Sequence, residues 1–197
     1  RIEDHVTDLA GQSSSAGQSF AIDDHAGAHA DLPDEVDRVA RAPGRPSQVF
    51  RHRADIGIAF DGDADRIGVI DDAGDIIWGD YLLIVYARDA IARTGKGQSI
   101  VFDVKASQAL SESIEKAGGV PVMWKTGHSL IEEKMHDTHA PVGGEMSGHM
   151  FFSEGFYGFD DALYGGARLL KIIADSGKTI RELLADVPRF VSTPEIR

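Results

Sequence analysis

The segment Asp-Gly-Asp-Ala-Asp-Arg at residues 61–66 alternates three carboxylates with small residues and ends in a cation. Largely apolar runs of strand length stand on both sides of it, at residues 55–60 and 67–70. Short apolar runs bounded by turn-forming residues are typical of buried strands. The sequence therefore predicts a tight acidic connection between two buried strands.

Carboxylates this close together repel one another and are not buried without a positive partner. Oxygen ligands suit a hard cation, and Mg²⁺ needs few protein ligands because it keeps water or takes phosphate oxygens. Gly62 and Ala64, between the aspartates, leave room for the chain to curl around an ion. These residues favour a divalent cation at this connection.

Three other interpretations compete with this one. A solvated acidic turn is disfavoured because apolar strands flank the segment on both sides. An EF-hand loop requires glycine at position six, glutamate at position twelve and flanking helices, whereas Arg66 and Asp72 stand at those positions. A phosphatase of the haloacid dehalogenase type also carries an Asp-x-Asp after a strand, with Asp61 as its nucleophile. Arg66 fits that pattern poorly, so the phosphatase stays open as the alternative enzyme.

Beyond the acidic segment, residues 71–75 predict the turn of a hairpin in which the aspartates serve turn chemistry. From residue 80 onward, helical and strand patterns alternate, which predicts a layered α/β domain. The helices are expected at residues 80–95, 107–117 and from residue 160, and the strands at residues 99–104, 120–124 and on both sides of a loop within 142–152.

Side-chain patterns add detail to these helices. The first is expected to bury one face, and the helix from Asp160 a face that includes Leu163 and Ala167. Capping boxes at Ser129 and Thr179 predict two further helix starts. The buried face of the first helix is made of Leu82, Leu83, Tyr86, Ala90 and Ile91, that of the second contains Leu110 and Ile114, and that of the helix from Asp160 continues with Leu170 and Ile173.

Two predicted loops contain cations whose positions packing does not explain. Lys105 follows a buried strand, where a point charge would suit a phosphate or a hydroxyl, although a plain surface lysine has the same pattern. His128 lies just before a helix start, and helix N-termini attract anions. A solvent-facing histidine is the alternative for His128.

A third loop is bracketed by glycines and carries Glu145, Ser147 and His149. On an extended segment these alternating residues would all point the same way. Carboxylate and hydroxyl groups suit a polyhydroxy ligand, and His149 could move protons near neutral pH. A solvated strand face is the plainer alternative.

Taken in order, these motifs resemble those of the α-D-phosphohexomutases, and within them the bacterial phosphomannomutase/phosphoglucomutase group. Residues 61–66 are similar to the metal-binding loop of the family and residues 144–149 to its sugar-specificity loop. Further matches are Asp103-Val104-Lys105, Lys125-Thr126-Gly127-His128, Gly158-Phe159-Asp160-Asp161 and Val191-Ser192-Thr193-Pro194-Glu195-Ile196.

The resemblance implies a set of roles. Mg²⁺ would be held by Asp61, Asp63 and Asp65 together with a phosphoserine oxygen from another domain. Glu145 and Ser147 would bind sugar hydroxyls. The expected catalytic residues are His149, Lys105, His128 and Arg66, of which Lys105, His128 and His149 would also contact the substrate.

The implied reaction interconverts hexose 1-phosphate and hexose 6-phosphate, of mannose or glucose, through a bisphosphate. Glucose 1,6-bisphosphate would activate the full enzyme, which would be a monomer or dimer. A non-catalytic module that binds Mg²⁺ or sugar phosphate remains a further alternative.

The resemblance also implies a domain organisation. Residues 1–75 correspond to part of a second α/β domain that carries the metal loop, residues 76–190 to a third, sugar-recognition domain, and residues 191–197 to a linker towards a fourth. The serine loop of the first domain and the phosphate-gripping loop of the last do not occur in these 197 residues. The expectation is therefore a mutase fragment that is inactive alone.

Residues 1–54 match the family poorly. They predict a loop at 11–19 and a short helix at 34–41. His25 and His29 have the i, i+4 spacing of a helical metal site, but Gly27 between them disfavours that helix.

The amino-acid composition limits the kinds of molecule that this chain is expected to bind. Hydrophobic residues make up 42% of the chain, enough for a core, and no apolar run approaches the roughly 20 residues of a membrane span. The absence of cysteine excludes disulfides, and a cytoplasmic location is expected. A net charge of −12 argues against nucleic acid or an anionic membrane as a partner. A phosphate-bearing substrate would need local cations in the cleft.

Overall fold

The structure is a computed structural model that describes the backbone of residues 20–23 and the whole of residues 53–190. The predicted loop at 11–19, the His25 and His29 pair, the helix at 34–41 and the linker at 191–197 lie outside the described residues. These predictions stay as they were made.

The described residues form two sheets, and the acidic segment connects two buried strands of the first, as predicted; the structure shows that these strands are antiparallel. The strand order is β1-β2-β3-β4, with β1 parallel to β2 and the other pairs antiparallel. The expected hairpin at residues 71–75 is confirmed by the pairing of β3 with β4. The strands are β1 (Phe20–Asp23), β2 (Ile56–Phe60), β3 (Ile67–Asp71) and β4 (Ile76–Ile77).

The second sheet is mixed and has the order β6-β5-β7-β8, in which β5 runs parallel to β6 and β7 while β8 is antiparallel to β7. Five helices accompany it among the described residues, so the predicted layered α/β fold is confirmed. The elements are α1 (Gly79–Thr94), β5 (Ser99–Asp103), α2 (Gln108–Ala117), β6 (Val120–Trp124), α3 (His128–Thr138), β7 (Val142–Gly144), β8 (Met150–Phe152), α4 (Ala162–Ser176) and α5 (Ile180–Leu183).

Helix α1 is the centre of the core. Its predicted inner face is confirmed, because Leu82, Leu83, Tyr86, Ala90 and Ile91 are all buried. The Tyr86 hydroxyl donates a hydrogen bond of 2.8 Å to the carbonyl oxygen of Gly165, which links α1 to α4. Among the described residues, no helix combines the length and the apolar character needed to cross a bilayer.

The predicted face of α4 is partly wrong. Leu163 is 58% exposed, and Ala167 is also exposed. The helix instead buries Gly165 and Gly166, which approach the rings of Tyr86 and Phe60. Glycine permits the closest helix packing, but it contributes little to a hydropathy pattern. The pattern therefore predicts burial of the face with Leu163 and misses the face with the two glycines.

Two helix starts also differ from the prediction. Helix α4 begins at Ala162, where the Asp161 side chain accepts a hydrogen bond from the backbone N–H of Tyr164. Helix α3 begins at His128 with Gly127 at the N-cap, so the capping box predicted at Ser129 is wrong. The box at Thr179 is confirmed, and there both hydrogen bonds with Glu182 are formed.

We expect Tyr86→Phe to lower stability by about 1–2 kcal/mol, because it removes a buried hydrogen bond between α1 and α4. Thermal unfolding followed by circular dichroism would then show a midpoint lower by about 2–8 °C. Tyr157→Phe is the matched control, since Tyr157 is 85% exposed. Equal midpoints for the two variants would contradict the role of this bond.

Candidate active site

The three aspartates of the acidic segment converge. One carboxylate oxygen from each of Asp61, Asp63 and Asp65 lies within 4.8 Å of those of the other two. Ala64 adopts a left-handed conformation with φ 60°, and its N–H donates to the Asp61 carbonyl oxygen at 3.1 Å. The chain therefore curls so that the carboxylates share one side, as predicted.

Arg66 holds Asp61 in place. Its side-chain Nε donates to one oxygen of the Asp61 carboxylate at 2.5 Å, and its backbone N–H donates to the other at 3.1 Å. Burial by itself would raise the pKa of Asp61, but these hydrogen bonds and the charge of Arg66 outweigh it and lower that pKa. Asp61 is thus kept ionised while it is buried.

Asp65 has the opposite environment. Burial raises its pKa, as do the charges of Asp61 and Asp63, and together they outweigh the charge of His149, which lowers it. The Oδ1 atom of Asp65 is buried and finds no hydrogen-bond partner among the described residues. Three clustered carboxylates with one orphaned oxygen fit a divalent cation, whose charge would favour ionised Asp65.

The predicted strand–loop–strand over residues 142–152 is confirmed by β7 and β8, and the loop that carries Glu145, Ser147 and His149 is a turn rather than an extended segment. The backbone N–H of Gly148 donates to the Glu145 carbonyl oxygen at 3.1 Å, and Gly148 has φ 103°, which favours glycine. The three side chains nevertheless meet. His149 Nδ1 lies 2.9 Å from the Ser147 hydroxyl and 3.0 Å from Glu145 Oε2.

The turn and the acidic segment are joined directly. Arg66 and His149 form an antiparallel bridge, and the N–H of Ile67 donates to the Gly148 carbonyl oxygen at 3.2 Å. His149 Nε2 lies 3.3 Å from Asp65 Oδ2. The two motifs, about 80 residues apart in the chain, therefore form one site through backbone and side-chain contacts.

His149 is surrounded by acids. Burial lowers its pKa, but the hydrogen bond with Glu145 and the charges of Asp65, Glu145 and Asp160 prevail and raise the pKa above 6.5. Burial by itself would raise the pKa of Glu145, but the hydrogen bonds from His149 and from the Gly127 N–H outweigh it and lower that pKa. This arrangement favours a protonated imidazole on an ionised carboxylate.

His128 lies beside this pair. Its ring stacks on that of His149 at 5.9 Å between centroids, and its side chain is 64% exposed. Asp160 Oδ2 lies 3.8 Å from His128 Nδ1 and 3.9 Å from His149 Nε2. That oxygen is buried without a hydrogen-bond partner among the described residues. Two imidazoles and a carboxylate therefore lie together beside the aspartate cluster.

Sheet topology explains why these loops meet. Strands β5, β6 and β7 are parallel, so the loops that follow them leave the same edge of the sheet. Lys105 is exposed on the first of these loops. Burial raises the pKa of Asp103, and the charge of Lys105 offsets part of that rise. The predicted site residues on these loops thus share one edge of the sheet, and Lys105 is exposed there.

Sequence reasoning missed the roles of Asp103 and Asp160. Both stand in the predicted motifs, but the sequence pattern indicates only a helix start for Asp160 and no role for Asp103. A signal existed for each. Asp103 is a carboxylate at the end of the apolar run Ile100–Phe102, and only one of the paired residues Asp160 and Asp161 can cap α4.

Comparison with known proteins decides the family. The family profile "Phosphoglucomutase/phosphomannomutase, alpha/beta/alpha domain III" matches residues 78–190, more than half of the chain. This chain belongs to the phosphoglucomutase/phosphomannomutase family. The phosphohexomutase resemblance inferred from the motifs is therefore confirmed.

Similar proteins agree. The chain is 47% identical over 161 residues to phosphomannomutase/phosphoglucomutase of Pseudomonas aeruginosa, covering 78% of this chain and 35% of that protein. It is 49% identical over 143 residues to phosphoglucomutase of Neisseria gonorrhoeae, covering 73% of this chain and 31% of that protein. The chain thus spans about a third of the length of these curated relatives.

A crystal structure of a phosphoglucomutase/phosphomannomutase family protein from Burkholderia thailandensis superposes with a TM-score of 0.72 and 35% identity, covering 98% of this chain and 48% of that one. These similarities favour a phosphohexomutase over the dehalogenase-type phosphatase. The site agrees, because Arg66 contacts both oxygens of Asp61, the nucleophile that a phosphatase would need.

We expect the stability contributed by His149 to depend on pH. Because its pKa is raised in the folded chain, this contribution is fully present below the unfolded value of about 6.5 and is lost as pH rises through the folded value. Urea unfolding in EDTA across this range should show a steeper loss for the wild type than for His149→Gln.

The control for this measurement is His136→Gln, an exposed histidine on α3. It should follow the wild-type pH profile. Identical profiles for wild type and His149→Gln would show that the acids around His149 do not stabilise its charged form.

Proposed function

We propose that this chain is the metal-binding and sugar-recognition part of a phosphohexomutase that interconverts hexose 1-phosphate and hexose 6-phosphate of mannose or glucose. The observation that supports this most is the junction of the two motifs, where His149 lies between the aspartate cluster and Glu145. A reaction at a phosphorylated sugar needs a cation for the phosphoryl group and polar groups for the ring, side by side.

Asp61, Asp63 and Asp65 are proposed to hold Mg²⁺. Their carboxylate oxygens converge. Arg66 holds the Asp61 carboxylate by a hydrogen bond, and the oxygens of Asp63 and Asp65 are left to bind an ion together with Asp61. The ion would offset negative charge on a transferring phosphoryl group. A phosphoserine oxygen from another part of a longer chain is proposed to complete the coordination, with glucose 1,6-bisphosphate as activator.

Glu145 and Ser147 are proposed to bind the sugar hydroxyls, and His149 to hold or move a proton. Glu145 already accepts a hydrogen bond from the Gly127 N–H at 2.5 Å, so its carboxylate is fixed in direction. His128, Lys105 and Arg66 are proposed to supply positive charge around the substrate. Glu145 and Ser147 would serve either epimer.

The proposed boundaries remain 1–75 for part of a second domain, 76–190 for a third and 191–197 for a linker. The cytoplasmic location, the monomeric or dimeric state of the full enzyme and the exclusion of nucleic acid and membrane partners stay predictions. So does the expected inactivity of the isolated chain.

We expect Asp63→Asn to weaken Mn²⁺ or Mg²⁺ binding by at least about tenfold, because it removes one charged ligand. Asp63 is exposed, so the loss should come without unfolding. Electron paramagnetic resonance of Mn²⁺, with Mg²⁺ as competitor, measures the affinity. Asp72→Asn, on the hairpin turn, is the control. Equal affinities for both variants would refute the proposed metal site.

We expect glucose 1-phosphate and mannose 1-phosphate, with Mg²⁺ present, to shift the amide resonances of residues 145–149. Glu145→Gln should weaken this binding by about tenfold, since a charged acceptor is lost. Glu132→Gln, on the exposed face of α3, should bind as the wild type does. A wild-type spectrum unchanged by either sugar phosphate would contradict the proposed function.

A further inference from the structure

Asp103 is a buried carboxylate to which the proposed reaction assigns no role. It is 1% exposed and forms the last residue of β5. A buried carboxylate is costly unless its oxygens find partners, so the contacts of Asp103 indicate what its burial achieves.

Both oxygens of Asp103 are used, each by a different loop. Oδ1 accepts a hydrogen bond from the backbone N–H of Met146 at 3.2 Å. Oδ2 accepts one from the Thr126 hydroxyl at 3.2 Å. Asp103 itself begins the loop of Lys105. One carboxylate therefore ties together the loops after β5, β6 and β7.

The Met146 contact is the important one, since Met146 lies between Glu145 and Ser147. A hydrogen bond to its N–H fixes the backbone of the turn from which both proposed sugar ligands project. Neither ligand touches Asp103 through a hydrogen bond of its own among those described. Asp103 thus acts on the site through the turn.

Gly79 lies directly against the backbone of the turn. A Cβ atom at this position would lie 2.4 Å from the Glu145 carbonyl oxygen and 2.8 Å from that of Met146. Backbone atoms cannot move away as a flexible side chain can, so only glycine fits here. The next residue, Asp80, accepts a hydrogen bond from the Ser107 N–H at 2.9 Å, which fastens the Lys105 loop to α1.

We propose that Asp103 is a positioning residue that holds the sugar-binding turn in place relative to the neighbouring loops. Gly79 contributes by allowing the turn to pack closely against the start of α1. This inference rests on the proposed function for its effect on sugar phosphates. It makes a separate statement about the turn itself, namely that the Asp103 carboxylate fixes the Met146 amide. The metal cluster, which Asp103 does not contact, should keep its affinity.

The test uses the full 197-residue chain with Asp103→Ala, Asp103→Asn and the surface control Asp175→Ala. Hydrogen exchange at Met146 reports the turn, resonance shifts with glucose 1-phosphate report sugar binding, and Mn²⁺ affinity reports the metal cluster. Thermal unfolding reports the overall fold. Asp175 is a suitable control because it is exposed and pairs only along its own helix with Lys171 in the described contacts.

For Asp103→Ala we expect Met146 exchange about tenfold faster and sugar-phosphate affinity about tenfold weaker, with Mn²⁺ affinity within about twofold of wild type. Asp103→Asn should restore both to within about threefold, because its amide oxygen can accept from Met146 and its NH₂ can donate to Thr126. A merely structural residue would affect the metal and sugar readouts alike.

A milder variant decides the matter if Asp103→Ala does not fold. Thr126→Val removes one of the two hydrogen bonds to Asp103, and it should weaken the sugar readout and spare the Mn²⁺ readout. Unchanged Met146 exchange in the Asp103 or Thr126 variants, or equal loss of sugar and Mn²⁺ binding, would overturn the inference. If glucose 1-phosphate causes no resonance shifts in the wild-type chain, the proposed function is refuted. Hydrogen exchange at Met146 still tests the role of Asp103 in that case.

Discussion

The contact between His149 and Asp65 is the interaction on which the site depends. It joins the acidic segment between β2 and β3 of the first sheet to the turn between β7 and β8 of the second. The backbone bridge between Arg66 and His149 fixes how these two segments are aligned. Each partner is unfavourable alone, since Asp65 is surrounded by other carboxylates and His149 is largely buried. Together they reduce both costs, because the charge of His149 favours ionised Asp65 and the charge of Asp65 favours protonated His149.

Much of this arrangement could be predicted because it is local. The acidic connection, the hairpin after it, the inner face of α1 and the capping box at Thr179 all depend on residues within a few positions of one another. The α4 face was mistaken because Gly165 and Gly166 carry no hydrophobic signal while they allow close packing. The strands on both sides of residues 145–149 could be predicted, but the shape of the turn between them could not, because the alternation of Glu145, Ser147 and His149 gives no backbone direction.

What could not be predicted is set by tertiary contacts. Asp103 and Asp160 look like ordinary acids at the end of a strand and before a helix, and their burial becomes visible only when the parallel strands bring their loops together. The Ser129 capping box failed for a related reason. The Gly127 N–H is held by Glu145 from another loop, and α3 starts at His128. The position of that helix start depends on a residue distant in sequence.

The pairing of Arg66 with Asp61 has an electrostatic consequence for the whole cleft. Three ionised aspartates would repel any phosphate, and the chain is strongly acidic overall. Because Arg66 neutralises one of them internally, the cluster presents a net charge of about −2, which a single divalent ion cancels. A doubly charged phosphate could then approach a locally neutral surface, with the imidazoles of His128 and His149 tilting the potential in its favour. An acidic protein can in this way admit an acidic ligand at a charge-balanced position on its surface.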